Sequence, residues 1–379
     1  MDKTNLKKLI GRLLVLSSLS LGVSSVSHAY PTMTRKGYTS CSTCHYNPSG
    51  GGVLTSYGKY IAQEVYGTFN DSETALPYLV NPKYEVGTFE EPWVVAQVMA
   101  RSVQTYLDTP QVTRRLFRSM QVDFEGGISH NGWQALGTVG PRLDSAIRGE
   151  NTKKTIDVRR FWVGRVTQEY ALRVGRFMPE YGIYHPHHNI PTRKGLFFNH
   201  NEEPNIIQGT HFSNTFDFTG AYINGRDHTQ LEGKKGYSAT IAYKTGMSRF
   251  GASRLDTHNG DLAAGSNGVF AQVGHNDHLY VLAELDRKKV VMEKASVRTE
   301  DVAYLETGYE VYKAVNPYFA LEYKHNLTAN MLTRIPSIGL QWHPITHTEI
   351  VMQTGRAFVN IGSESQQALQ AFIMANIYF

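Results

Sequence analysis

Leu369-Gln370-Ala371-Phe372-Ile373-Met374-Ala375-Asn376-Ile377-Tyr378-Phe379 ends the chain. Its odd-numbered residues, from Leu369 to Phe379, form an unbroken apolar face with a period of two, the spacing a β-strand puts on one side of a sheet. The same alternation recurs upstream. In Gly236–Thr245, Tyr237, Ala239, Ile241 and Tyr243 oppose Ser238, Thr240 and Lys244. Pro317, Phe319, Leu321 and Tyr323 oppose Tyr318, Glu322 and Lys324, and Met120, Val122 and Phe124 oppose Gln121, Asp123 and Glu125. The pattern reaches back to Trp93, where Val94, Ala96, Val98 and Ala100 oppose Gln97 and Arg101.

A soluble sandwich alternates in the same way, so the connections decide. Short turns at Thr245–Ser248, Gly274–Asp277, Lys313–Pro317 and His343–Thr346 interleave with longer polar segments at Asp256–Gly265, Val290–Arg298, Asn326–Thr333 and Asn360–Gln367. That rhythm predicts an all-β transmembrane antiparallel barrel over residues 93–379, with tight periplasmic turns and longer external loops. The count is about sixteen strands, with fourteen as the alternative. The final strand, ending on an aromatic, resembles those of outer-membrane barrels as a class. That resemblance implies outer-membrane lipid around the wall and the barrel assembly machinery as a partner.

Residues 1–29 read as an export signal. Lys3, Lys7, Lys8 and Arg12 precede the apolar Leu13–Val23, and Ser27-His28-Ala29 is a small-x-small cleavage site. With Asp2 and four basic residues removed, the formal charge of +5 falls by 3 to about +2, so no nucleic acid partner is implied. No other stretch has the 18 or more apolar residues of a transmembrane helix.

The chain's 2 cysteines both lie in Cys41-Ser42-Thr43-Cys44-His45. Cys-x-x-Cys-His is the attachment signature of a c-type haem: two thiols add to the porphyrin vinyls and the imidazole ligates iron from the proximal side. A thiolate zinc site needs more cysteines, and a thioredoxin-like pair needs a preceding strand. Here the motif follows the loop-like Pro31–Gly37 and precedes Asn47-Pro48-Ser49-Gly50-Gly51-Gly52, which reads as a flexible turn. Leu54, Tyr57, Ile61 and Val65 then share one face of a helix over Val53–Val65. Residues 30–66 thus form a small α-helical haem segment, joined to the barrel by a linker over 67–92. Such a segment is too small to bury a porphyrin alone, and the barrel lumen or its periplasmic mouth is the nearest second surface.

Met33 is the distal-ligand candidate of this segment, with Met99, Met247, His130 and His211 as weaker ones. The longest connection, Pro179–Pro204, falls outside the cell and carries His185, His187, His188 and His200 beside Glu202 and Glu203. It reads either as an external metal site or as a porin constriction loop folded inward.

A single N-terminal Cys-x-x-Cys-His fused to an outer-membrane barrel resembles the monohaem cytochrome–porins, the outer-membrane iron oxidases. Gly37, Cys41–His45 and Tyr57-Gly58-Lys59-Tyr60 carry the likeness, while Asn47–Gly52 departs from that pattern. The resemblance implies one covalent haem c and an electron-transfer protein of the iron:cytochrome oxidoreductase type. It would move single electrons between an extracellular donor or acceptor, with Fe(II) as the donor, and a periplasmic carrier such as a soluble cytochrome. The alternative is a solute-diffusion porin with a haem-bearing plug or redox sensor, its lumen lined by Arg101, Arg118 and Arg165.

Overall fold

The computed structural model describes residues 31–69, 83–85, 88–141, 156–185, 190–194, 196, 203–225, 235–259, 262–291 and 297–379. The export signal, His187, His188, His200, Glu202 and the side chain of Arg118 lie outside the described residues.

Within the segment read as a linker, β1 (Lys83–Glu85) and β2 (Thr88–Glu90) pair as a separate hairpin. The barrel strands follow: β3 (Val94–Asp108), β4 (Thr113–His130), β5 (Trp133–Pro141), β6 (Ile156–Val166), β7 (Tyr170–Arg176), β8 (Asn205–Phe212), β9 (Phe216–Asn224) and β10 (Lys235–Thr245). Then come β11 (Ser248–Asn259), β12 (Leu262–His275), β13 (Leu279–Val291), β14 (Val297–Tyr309), β15 (Val315–Asn326), β16 (Met331–Trp342), β17 (Thr348–Ile361) and β18 (Glu364–Tyr378). All pair antiparallel with their neighbours and close into one barrel of sixteen strands, which excludes fourteen.

The seam joins β18 to β3, from Leu369↔Asp108 to Tyr378↔Met99. Phe379 extends it by exchanging backbone hydrogen bonds with Val98. Closure leaves no strand edge, which hydrocarbon surroundings demand of every backbone amide and carbonyl. The period-two pattern sorts as its chemistry requires. On β18, Ile373 is 54% exposed on the outer face while its neighbour Met374 is 6% exposed towards the lumen. On β9, Phe216, Phe218 and Tyr222 face out, and Asp217, Thr219 and Ile223 face in.

Two expectations need correction. The segments assigned to long external loops are mostly strand: β11 runs to Asn259 and β12 starts at Leu262, while β17 and β18 are separated only by residues 362 and 363. These strand ends are polar because they carry pairs such as Arg254–Asp256 on the outer surface, above the apolar band. Arg165 faces outward, beside Trp133 and Tyr170, and not into the lumen. Its register shifts because β6 bulges: Thr138 pairs with Arg160 and Val139 with Val158, leaving Arg159 as the extra residue and reversing the alternation beyond it. Arg101 does face inward, where its Nε donates to Asn376 Oδ1 at 2.7 Å.

The end with the short turns is the periplasmic one in a barrel of this kind. From that end residues 31–69 enter the lumen. Thr34 Oγ1 donates to Met247 O at 2.7 Å, Lys36 Nζ lies 2.6 Å from Glu310 Oε2, and Thr68 N donates to His343 O at 2.9 Å. From the opposite side residues 177–185, 190–194 and 196 also lie inward, putting Tyr181, Ile183, Ile190 and Leu196 into the lumen's apolar clusters.

Candidate functional site

Cys41–Thr43 forms a single 3-10 turn, and the amides of Cys44 and His45 both donate to Cys41 O. This turn gathers two thiols and an imidazole on one short piece of backbone. The chain then doubles back: Tyr46 N donates to Val53 O at 3.1 Å and Thr55 N to Cys44 O at 3.0 Å.

The intervening residues 47–52 are a built turn and not a flexible one. Asn47 Nδ2 donates to Gly50 O at 2.7 Å, and Gly50 N donates to Asn47 O at 2.8 Å. Gly50, Gly51 and Gly52 all have φ between +73° and +90°, a region that penalises any Cβ. A Cβ on Gly50 would also sit 3.1 Å from Cys41 Sγ, and one on Gly52 would sit 2.4 Å from Glu125 Oε1.

Helix α1 (Ser56–Val65) starts three residues later than the expected Val53. Thr55 sets that start, since its Oγ1 accepts from Gly58 N at 3.0 Å and donates to Thr43 O at 2.8 Å. Gly58 lets the helix lie against the motif, because a Cβ there would be 2.2 Å from Cys44 O. Glu91 closes the far side: Tyr46 Oη and Ser56 N both donate to its carboxylate.

His45 is buried, and its Nδ1 lies 3.3 Å from Gly52 O. A carbonyl oxygen only accepts, so Nδ1 carries the proton and Nε2 keeps its lone pair. Burial holds the imidazole neutral, lowering its pKa to about 4 despite the Gly52 carbonyl. Neutral imidazole with a carbonyl on its second nitrogen is the form that ligates metal. Cys41 and Cys44 are free thiols, both pushed up to about 12, first by burial. Two unpaired thiols, a neutral imidazole with Nε2 available, and a turn that tolerates no added Cβ are a donor set that fits a covalent haem c.

Met33 is buried against Ala62 and Tyr66 in an apolar cluster that also includes Tyr38, Leu54, Ile61 and Val65. Met247 sits in the turn between β10 and β11. The histidine-rich connection does not stand outside the barrel at its first histidine: His185 is buried in the lumen with Nε2 3.2 Å from Glu306 Oε2. Tyr280 Oη donates to Glu306 Oε1 at 2.7 Å and Tyr304 Oη to Glu306 Oε2. Among the described residues no three His, Cys, Asp or Glu side chains gather as a metal site. Where described, this segment lies inside the barrel, its His185 pinned to the wall by the buried Glu306 carboxylate.

Sequence spacing gave no notice of Arg173 or Glu125, the wall residues that meet the motif's turn. Arg173 Nη1 donates to Asn47 Oδ1 at 2.6 Å and its Nη2 to Ser49 Oγ at 3.0 Å. Those partners lie 126 and 124 residues apart in the chain, beyond the reach of any local pattern.

Solved structures share this barrel. It has a porin fold. OmpT of Vibrio cholerae, an outer membrane protein, superposes with a TM-score of 0.60 at 13% identity, over 76% of this chain and 99% of that one. An anion-selective porin from Comamonas acidovorans gives 0.54 at 12% identity, over 76% and 99%. The outer membrane channel DcaP of Acinetobacter baumannii gives 0.53 at 10% identity, over 80% and 100%. No protein-family model and no curated protein matches the chain. At these identities the likeness establishes the fold alone.

Proposed function

We propose that the protein resides in the bacterial outer membrane as a monohaem cytochrome–porin and moves single electrons between an extracellular donor or acceptor and a periplasmic carrier. The observation that carries this reading is the Cys41–His45 motif held against the inner wall of a porin-fold barrel, with His45 Nε2 left as the ligating nitrogen. Haem c, when bound, supplies a one-electron couple at iron.

The chain's own residues do the rest. The barrel excludes lipid from a span of about 25 Å. Residues 31–69 bring the motif in from the periplasmic side, and residues 177–185 and 190–194 narrow the lumen from the other. Among the described residues the lumen carries both signs of charge: Glu284, Asp286, Glu300 and Glu306 are buried there together with Lys288, Arg159 and Arg173, and Arg249 pairs with Glu180. With Fe(II) as the donor, one electron leaves the iron as the periplasmic carrier gains one.

A proteoliposome assay tests this. Fe(II) is added outside vesicles bearing the inserted protein and enclosing a soluble cytochrome c. Reduction of the enclosed cytochrome, absent with Cys41→Ser/Cys44→Ser protein, supports the reading; no reduction by haem-loaded protein removes Fe(II) as the donor.

The second reading, a solute-diffusion porin in which the haem segment is a plug or sensor, is favoured by the inward placement of residues 177–185 and 190–194. Planar-bilayer conductance separates the two. A closed or very narrow channel in intact protein supports electron transfer through an occupied lumen, whereas full porin-size conductance of the haem-loaded form supports diffusion and rules out the haem segment as a plug.

A further inference from the structure

Arg173 projects from β7 into the lumen and is 1% exposed. Its guanidinium lies over the Phe177 ring at 4.3 Å and the Trp162 ring at 5.4 Å, so stacking fixes its plane. The two terminal nitrogens are spent on one target, the turn after the haem motif: Nη1 on Asn47 Oδ1 and Nη2 on Ser49 Oγ. Asn47 is also the residue that organises this turn. Its Oδ1 accepts from Ser49 N at 3.2 Å and its Nδ2 donates to Gly50 O. The turn ends at Gly52, whose carbonyl accepts from His45 Nδ1 and which leaves no room for a Cβ beside Glu125 of β4, itself held by Arg160 at 3.3 Å. The chain of contacts is therefore continuous from barrel wall to imidazole.

We propose that Arg173 is a positioning residue for the proximal ligand: by fixing the Asn47–Gly52 turn, the barrel wall sets the hydrogen bond at His45 Nδ1 and thereby the reduction potential of the haem. The inference rests on the haem-binding reading above. A firm Nδ1–H···O=C bond makes imidazole a stronger electron donor and favours the oxidised metal; loosening it favours the reduced one. The potential thus belongs to the docked assembly, with a wall residue more than a hundred positions from the motif acting as the adjuster.

The test is an equilibrium redox titration of the full-length protein in detergent, with haem content and heat-modifiable gel mobility measured on each sample. Arg173→Lys keeps the positive charge but cannot bridge two acceptors in one plane. Asn47→Ala removes the receiving group and leaves the charge untouched. Each is expected to shift the midpoint potential positive with the barrel folded, and the double variant to shift it no further than the larger single one, since both break one linkage. Ser49→Ala, which removes one of the two bonds, is the mild variant that decides if the others fail to load haem; a smaller positive shift is expected. Haem-loaded, folded variants at the wild-type potential, or shifts that simply add, overturn the proposal. Wild-type protein without haem instead overturns the underlying reading, and that is seen before any variant is made.

Discussion

His45 Nδ1 and the carbonyl oxygen of Gly52, seven positions on in the chain, face each other at 3.3 Å, and this contact leaves Nε2 as the nitrogen open to a metal. The partner is backbone, so its position depends on how the turn folds. The glycines decide that.

Gly58→Ala is expected to prevent haem attachment while leaving the barrel intact. The added methyl would meet Cys44 backbone at 2.2 Å, which has no side-chain freedom to yield. Overpacking of this kind costs about 1–3 kcal/mol, a large share of what a segment this small holds in reserve. Haem staining after denaturing electrophoresis reads the loss, and heat-modifiable mobility reads the barrel.

Docking of the N-terminal segment should depend on pH through Glu310. Burial pushes this carboxyl up, but Lys36 Nζ, the amide of Ala314 and the Arg35 guanidinium outweigh it and hold the group below the usual carboxylate range. A depressed pKa stabilises docking fully above the undocked value, about 4.3, and the contribution disappears as pH falls through the docked value. The Glu310 contribution to docking is therefore expected to be constant from pH 8 to about 5 and to be lost below about 4. Protease accessibility of residues 31–69 across that range measures it as the difference between wild type and Glu310→Gln, which should vanish in acid while the burial of neutral His45 weakens docking in both proteins alike.

Most of the wall was legible in the sequence, because lipid outside and a polar lumen inside impose opposite chemistry on successive residues. Ser238, Thr240, Tyr237 and Ile241 sort as that rule demands. It fails where a strand leaves the apolar band or bulges: Asp256 to Asn259 read as loop although they are strand, and one extra residue at Arg159 turns Arg165 to the outer face. The motif was legible because Cys41, Cys44 and His45 are adjacent. What holds it was not, since Arg173, Glu125 and Glu91 meet it only after folding.

Glu306→Ala should loosen the inward loop without opening the wall. It strips one acceptor from His185, Tyr280 and Tyr304 together. Breaking such a buried arrangement costs about 3–5 kcal/mol. Hydrogen exchange at residues 181–185 should speed up strongly while β13 to β15 stay protected; unchanged exchange would mean the apolar contacts of Ile183 and Ile190 hold the loop alone.

Electron transfer through this porin-fold barrel requires a covalent haem on Cys41 and Cys44. A reduced-minus-oxidised difference spectrum of the protein purified from outer membranes of a host competent in cytochrome c maturation tests it most directly. The expected result is a c-type band equivalent to one haem per chain, abolished by Cys41→Ser/Cys44→Ser with the barrel still heat-modifiable. A fully assembled barrel with both cysteines present and no c-type band would contradict it.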